Sequence, residues 1–332
     1  MQLLNLAYPE KSQIKFEVSK FPDGQQNVTI QRSRPIKGVG KESDPLYIPD
    51  GELFWDTKQP VLIKSRLNNW TDLEFIVCTV ASLRRLGVKQ IHLFAPYILG
   101  ARSDIQFVTG GNNYVKDVIA PIINSLNFES VTCMDPHSIA LENTINNLKQ
   151  VDNSELVIHA LNSIYEPQYQ ANGTRFQIDQ SFLNDKVIWI APDAGASKKL
   201  YKLAAKVGFT GKIVLCSKDR DVDGKILRTV VPITVHDVDK DMILIDDICD
   251  GGRTFTEIGK RIKEIQSLSS VVHPSRYGNL YLVVTHGIFS KHYGELSKYF
   301  KAIYCTNSYQ DTLKGSCYGC DTENIVNQIN IF

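Results

Sequence analysis

The chain has 332 residues, 43% apolar and 22% charged, with a formal net charge of +1, which is the balance of a globular protein long enough for two domains. So small a charge speaks against a nucleic-acid binder, which rests on a clear basic excess. No apolar run approaches the roughly 18 residues that cross a membrane, and the opening MQLLNLAYPEKSQIKFEV lacks a basic stretch followed by a long apolar core, so neither a membrane span nor a secretory signal is expected.

In chain order, QPVLIKS (59–65) reads as a strand and DLEFIVCTVASLRRLG (72–87) as an amphipathic helix closed by Gly87. QIHLFAPY (90–97) is a strand, YVKDVIAPIINSLN (114–127) a helix that Pro121 is placed to bend, and SVTCMD (130–135) a strand. The theme then repeats. KVIWIAPD (186–193) is a strand followed by the helix ASKKLYKLAAKVG; GKIVLCSK (211–218), DMILIDD (241–247) and LYLVVTH (280–286) are strands; TFTEIGKRIKEIQS (254–267) is a helix. Strand–helix alternation with apolar strands predicts an α/β fold, two domains each built on a mostly parallel sheet flanked by helices, with residues 1–150 in one and 151–332 in the other. Seven scattered cysteines without a signal sequence are expected to be reduced thiols of a cytoplasmic protein. Cys317 and Cys320 form a lone CxxC with no second pair at zinc spacing, and are read as structural.

In open α/β sheets ligands gather beyond the carboxyl ends of the strands. The stretch MILIDDICDGGRTF (242–255) puts Asp246 and Asp247 at such an end, followed by Asp250, Gly251, Gly252, Arg253 and Thr254 and then a helix. Glycines bring backbone amides close to a phosphate, the helix start adds partial positive charge, and Thr254 either caps the helix or donates to a phosphate oxygen. Carboxylates beside a phosphate cradle repel the phosphate unless they face something else. The hydroxyls of a sugar carrying that phosphate are the natural partner. Elsewhere, Asp193 and His137 both follow strands and are candidate magnesium ligands, although magnesium prefers oxygen and His137 would act through a water. Lys218 and Arg220 lie two apart after a strand, so an extended segment points them the same way.

Taken together, these segments resemble the ribose-phosphate diphosphokinase (phosphoribosyl-diphosphate, or PRPP, synthase) family, whose fold is that of the type I phosphoribosyltransferases. The stretch at 242–255 resembles the PRPP-binding motif and PDAGASKKL (192–200) the loop that holds diphosphate and magnesium; CMDPHS (133–138) resembles a segment offering a metal-binding histidine. APYILGARSDIQF (95–107) resembles an ATP-holding segment, KFPDGQQNV (20–28) a loop that reaches a neighbouring subunit's adenine, SKDRD (217–221) the mobile catalytic loop, and VVTHGIFS (283–290) a further synthase segment. They run in consistent order from about Lys15 to Asn307.

The resemblance implies two phosphoribosyltransferase-like domains, a Mg2+-dependent transfer of the diphosphate of ATP to the C1 hydroxyl of ribose 5-phosphate with release of AMP, a role in nucleotide biosynthesis, and a homo-oligomer, dimer or hexamer. By position it implies catalysis by Lys218 and Arg220 and ATP binding by Phe21, Asp23, Gln25, Arg102, Ser103 and Asp104. It assigns ribose-phosphate binding to Asp246, Asp247 and Asp250 through Thr254, a diphosphate loop to Asp193, Ala194, Gly195 and Ala196, and metal binding to His137 and Asp193. The chain departs from the family at four places. Its phosphate loop has Gly251 and Arg253 where the usual pattern is Asp-Thr-Gly/Cys-Gly-Thr. Ser103 stands where glutamine is usual, and Gln25 where the loop has an acid. The segment from Ser103 to Val115, usually rich in cations and part of an allosteric anion site, contains no lysine or arginine. Gly251 and Arg253 open an alternative acceptor, a ribose whose 5′-phosphate continues into a second phosphate, such as ADP-ribose. A non-catalytic regulatory relative is a further alternative, as is a phosphoribosyltransferase; consumption of ATP with release of AMP separates the three.

Overall fold

The computed structural model describes residues 1–31, 55–103, 105, 106, 108–165, 180–220, 226–269, 277–312 and 325–332. Cys317, Cys320 and Asp104 lie outside the described residues. The chain divides into two compact units, Met1–Val151 with Phe332, and Asp152–Ile331.

The first unit contains β1 (Gln2–Asn5), a 3-10 turn (Pro9–Lys11), β2 (Phe16–Lys20), β3 (Gln26–Ile30), β4 (Val61–Lys64), α1 (Trp70–Arg85), β5 (Ile91–Phe94), a π-helical turn (Val115–Ile119), α2 (Ala120–Ser125), β6 (Ser130–Met134), a 3-10 turn (Ile139–Asn143) and β7 (Leu148–Val151). β1, β4, β5, β6 and β7 form a five-stranded parallel sheet in that spatial order. β2 and β3 form a separate antiparallel hairpin, which the strand–helix reading of the sequence did not include.

Helix α1 shows why these residues make this element. Asn69 caps it, its side chain accepting from the Asp72 amide at 2.9 Å. Leu73, Ile76, Val80 and Leu83 recur at helical spacing and are buried. Gly87, at φ +94°, turns the chain out of the helix. The helix expected over 114–127 is interrupted as Pro121 suggested. Proline has no amide proton and its ring collides with the carbonyl four residues back. The chain accommodates it by widening into the π turn, in which the Ala120 amide donates to the Val115 carbonyl five residues earlier.

The second unit contains α3 (Ser154–Tyr165), α4 (Gln180–Lys186), β8 (Val187–Ala191), α5 (Ala194–Val207), β9 (Lys212–Leu215), β10 (Ser217–Arg220), β11 (Ile226–Val230), β12 (Asp241–Cys249), α6 (Arg253–Ser269), β13 (Leu280–Gly287), α7 (Gly294–Ser297), β14 (Ala302–Thr306) and β15 (Val326–Ile329). Its six-stranded sheet runs β15-β14-β13-β12-β8-β9, parallel throughout, and β10 and β11 form an antiparallel hairpin. Every residue of β8 is buried, because helices cover both faces of the sheet. On one face Ile243, Ile245, Trp189 and Val283 pack with α3 and α5; on the other Met242, Leu244, Ile188 and Leu282 pack with Phe255, Ile258 and Ile262 of α6. Trp189 stacks on Phe209 with ring centroids 4.2 Å apart and planes 4° from parallel.

The sequence placed one strand over 211–218 and ended another at Asp247. The structure splits the first into β9 and β10, with Cys216 between them, and carries β12 on through Cys249. Among the described residues no helix is long and apolar enough to cross a membrane.

Candidate active site

The strand order of the second sheet reverses next to its first strand. The chain enters at β8, moves outward through α5 to β9, and returns to β12 on the other side of β8. The helices leaving β8 and β12 pack on opposite faces of the sheet, and the carboxyl edge between them, where such sheets place a ligand crevice, is the usual ligand position. The β8–β12 ladder ends at the Leu244–Ile190 pair, whereas the β12–β13 ladder continues to Cys249 opposite Gly287. β12 therefore extends beyond β8, and its last residues form one wall of the crevice.

Asp246 and Asp247 are consecutive within a strand, so their side chains leave on opposite faces. The Asp246 carboxylate accepts from the Asp247 amide at 2.9 Å. Asp247 is buried at 6% exposure and pairs with Lys199 of α5, Nζ to Oδ2 2.8 Å. The acids thus do not stand side by side as a pair; each is held by a different neighbour. Asp250 accepts from the Ser290 hydroxyl at 2.6 Å. The chain after β13 is fastened to the same loop, since the amides of Ile288 and Phe289 donate to the Cys249 carbonyl at 2.9 and 3.0 Å. Phe289 and His292 both adopt positive φ, 47° and 55°, so Ser290 and Lys291 sit in a tight turn beside the Asp250–Gly252 loop.

Gly252 has φ +73° and precedes α6; this conformation favours glycine, and an added Cβ would come within 3.3 Å of Leu296. Arg253 is the first helical residue and Thr254 the second, so Thr254 lies inside the first turn rather than at the cap. The Arg253 side chain is 85% exposed, and its Nε donates to Glu257 at 2.8 Å. The nearest neighbour an added Cβ at Gly251 would meet is the stem of Lys291, at 3.5 Å.

The other wall begins with Asp193, which caps α5. Its Oδ1 accepts from the Gly195 and Ala196 amides at 2.9 and 3.1 Å. Ala194 opens the helix, so the segment expected to be a diphosphate loop is the first turn of α5. Lys218 and Arg220 lie on β10, where Lys218 is opposite Thr229 and the register shifts at Asp219 and Arg220. The Thr229 hydroxyl donates to Glu257 at 3.1 Å, so one carboxylate holds both Arg253 and the strand opposite Lys218.

In the first unit Phe21, Asp23 and Gln25 form the tip of the β2–β3 hairpin. The Phe21 amide donates to Gln25 at 2.8 Å, the Gly24 amide to Phe21 at 2.9 Å, and the Gln25 amide to the Asp23 carboxylate at 3.2 Å. Phe21 is 48% exposed. The Glu74 carboxylate accepts the Gln26 amide and the Ser82 hydroxyl donates to the Val28 carbonyl, at 2.9 and 2.8 Å, which fastens the hairpin to α1. Arg102 is exposed and Ser103 half-buried in turns after β5. His137 is exposed just after β6, beside Asp135, which is buried with φ 36°.

No disulfide joins the five described cysteines. Burial pushes Cys216 up to about 12, with Asp193 adding to it, and Cys305 up to about 12; Cys249 is raised as well, by burial and then by Asp246 and Asp250. These thiols are protonated at neutral pH and are not nucleophiles. Among the described residues no three or more His, Cys, Asp or Glu side chains are arranged as a metal-binding group. Lys199, Glu257, Ser290 and Lys291 were not identified as site residues from sequence. Ser290 ended a recognised segment and Lys199 lay within one, but their contacts depend on the fold.

No protein-family model matches the chain. Phosphoribosylpyrophosphate synthetase from Mycobacterium smegmatis superposes with a TM-score of 0.71 at 14% identity, over 100% of this chain and 95% of that one. Hypoxanthine phosphoribosyltransferase from Staphylococcus aureus matches 40% of this chain and 64% of its own at 13% identity, with a TM-score of 0.24. Purine phosphoribosyltransferase from Pyrococcus horikoshii matches 40% and 85% at 15% identity, with a TM-score of 0.21. The chain has the fold of a phosphoribosylpyrophosphate synthetase, a mixed α/β fold with mostly parallel sheets flanked by helices.

Proposed function

We propose that the protein transfers the diphosphate of ATP to the C1 hydroxyl of a ribose 5-phosphate-type acceptor. The C1 oxygen bonds to the β-phosphorus, the bond from that phosphorus to the oxygen bridging it to the α-phosphate breaks, the hydroxyl proton is lost, and AMP leaves. The observation that supports this best is the crevice at β8 and β12. A strand end bearing Asp246, Asp247 and Asp250, a glycine loop opening α6, and the start of α5 all meet where the strand order reverses. The loop amides at Gly251 and Gly252 and the Thr254 hydroxyl receive the 5′-phosphate, while Asp246 and Asp247 hold the sugar hydroxyls. Lys218 and Arg220 meet the charge on the migrating diphosphate; in such reactions the protein mainly positions groups and neutralises charge.

Carboxylate oxygens at Asp193 suit Mg2+, which commonly binds through one or two carboxylates with substrate phosphates completing its shell; His137 is a separate candidate ligand, acting through a water. When bound, Mg2+ neutralises phosphate charge. Phe21, Asp23, Gln25, Arg102, Ser103 and Asp104 bind ATP, with the hairpin tip serving an adjacent subunit of a homo-oligomer; an active monomer in sedimentation overturns that last part.

Ribose 5-phosphate is the default acceptor. A second reading, a ribose carrying a 5′-diphosphate such as ADP-ribose, is favoured by the glycine at 251, whose nearest neighbour is the flexible Lys291 stem, and by Arg253 just after the loop. The Arg253–Glu257 pair does not oppose it, because an exposed i,i+4 pair contributes only about 0.3–0.5 kcal/mol and exchanges readily for a phosphate. Mass spectrometry of products from ATP, Mg2+ and a panel of 5-substituted riboses tests both readings. Absence of AMP with every acceptor rejects the diphosphokinase.

A further inference from the structure

We propose that Lys199 is the positioning residue of the acceptor site, holding the Asp247 carboxylate across the crevice and fixing its distance from the first turn of α5. The proposal rests on the functional reading above.

β8 and β12 are hydrogen-bonded as far as Leu244 and Ile190. Three residues further along β12, where that ladder has ended, Asp247 meets Lys199. The lysine belongs to α5, the helix that leaves β8, so the contact joins the two walls of the crevice above the last shared ladder bond. The carboxyl side chain is 7% exposed and the lysine 40% exposed. A buried carboxylate is costly unless it is paired, and removing one partner of such a pair strands the other charge. Lys199 thus holds the Asp247 carboxylate in place at the edge of the crevice.

The location separates this pair from the ordinary ion pairs of the molecule. Lys206–Asp152 and Lys298–Glu295 join side chains that are each more than half exposed. Lys212 also pairs with a buried acid, Asp237, but that acid caps a turn, accepting from the amide and hydroxyl of Thr234. Lys199–Asp247 alone among these connects the element that carries Asp193, Gly195 and Ala196 to the strand end that carries the proposed diol acid. Transfer requires the acceptor oxygen and the phosphorus to be held within about 3–3.5 Å of each other, and a misplacement of about 1 Å costs on the order of 10²-fold in rate. A tie across the crevice sets that spacing without touching either substrate.

The test is a double-mutant cycle on the intact protein with Lys199→Met, Asp247→Asn and their combination, with Lys199→Arg as the conservative variant. AMP formation is measured against ribose 5-phosphate and ADP-ribose, and thermal unfolding without ligands. Lys199→Met is expected to lower kcat/KM for the acceptor by about 30-fold or more, in keeping with that positional sensitivity, with KM for ATP within about twofold. The double variant is expected to be no worse than Asp247→Asn alone, and Lys199→Arg to recover most of the loss. Lys199→Met should lower the unfolding temperature, and adding Asp247→Asn should restore part of it, because the stranded charge is then gone. If Lys199→Met does not fold, the double variant and Lys199→Arg still decide the matter. An active wild type whose Lys199→Met has unchanged acceptor kinetics, or effects of the two changes that simply multiply, overturns the proposal. A wild type forming no AMP with either acceptor overturns the functional reading, and this proposal with it.

Discussion

The two parallel sheets differ in one topological respect. In the N-terminal unit the described strands progress in one direction, β1, β4, β5, β6, β7, each beside the one before it. In the C-terminal unit the order turns back at β8 and β12, and the candidate acceptor and diphosphate residues flank that turn. The N-terminal candidates lie instead on a hairpin tip and exposed turns, with Phe21 half in solvent while Asp247 is buried and paired. A reversing sheet builds a crevice from its own walls. In the sheet without a reversal among its described strands, the candidate ligand groups lie instead on appended elements.

Four experiments test the division between the two units. The largest effect belongs to the hairpin beside the crevice. Lys218→Ala is expected to lower AMP formation by roughly 10³-fold or more at unchanged unfolding temperature, since cations meeting a transferring phosphoryl group are worth about 10³–10⁵. Near-normal turnover would remove the β10–β11 hairpin from the catalytic machinery. Next comes the N-terminal tip. Phe21→Ala should raise KM for ATP about tenfold, within the roughly 1–3 kcal/mol that stacking on a base is worth, and leave KM for the acceptor unchanged. An effect on the acceptor instead would erase the division of labour between the units.

Arg253→Gly is expected to weaken use of ADP-ribose about tenfold relative to ribose 5-phosphate, the scale of a hydrogen bond to a charged group, as read by competition of the two acceptors at limiting ATP. Equal losses on both acceptors would make Arg253 a part of the shared phosphate loop. The smallest effect concerns a contact remote from the chemistry. Burial by itself would raise the Asp237 pKa, but hydrogen bonds from Lys212 and Thr234 and the lysine charge outweigh burial and hold it below the usual carboxylate value. A lowered folded pKa contributes stability above the unfolded value, about 3.9, and that stability is lost as pH falls through the lowered value. Asp237→Asn should therefore flatten the acid limb of unfolding temperature against pH below about pH 4 without changing kcat; an unaltered acid limb would show that the pair does not matter there.

Much of the architecture was legible because the central strands are continuous apolar runs bounded by turn residues, and α1, α5 and α6 have clear helical periodicity. What escaped notice has a physical reason in each case. β7 is LKQV, with no buried residue to give it a pattern, and β2 is almost wholly exposed. β12 reads as ending at its aspartates because carboxylates are rare inside strands; a lysine 48 positions away makes Asp247 tolerable there. The loop glycines fell where expected next to α6, and Thr254 lies inside that helix, as the 254–267 reading placed it, but nothing local to Arg253 announced that Glu257 would also hold Thr229. Pro121, by contrast, was a local signal, and it did mark the irregular turn.

The capping of α5 by its own aspartate has a consequence for turnover. The two amides that the Asp193 carboxylate occupies are the ones a diphosphate brought to that helix would need. If diphosphate binds at this helix start, as proposed, the Asp193 carboxylate is a tethered competitor for it, at a high effective concentration that no dilution lowers. On that proposal diphosphate would displace the carboxylate from the two amides to bind, and the returning carboxylate would help to release it. An arrangement of this kind trades grip for departure, and favours an enzyme that lets go of a tightly charged product.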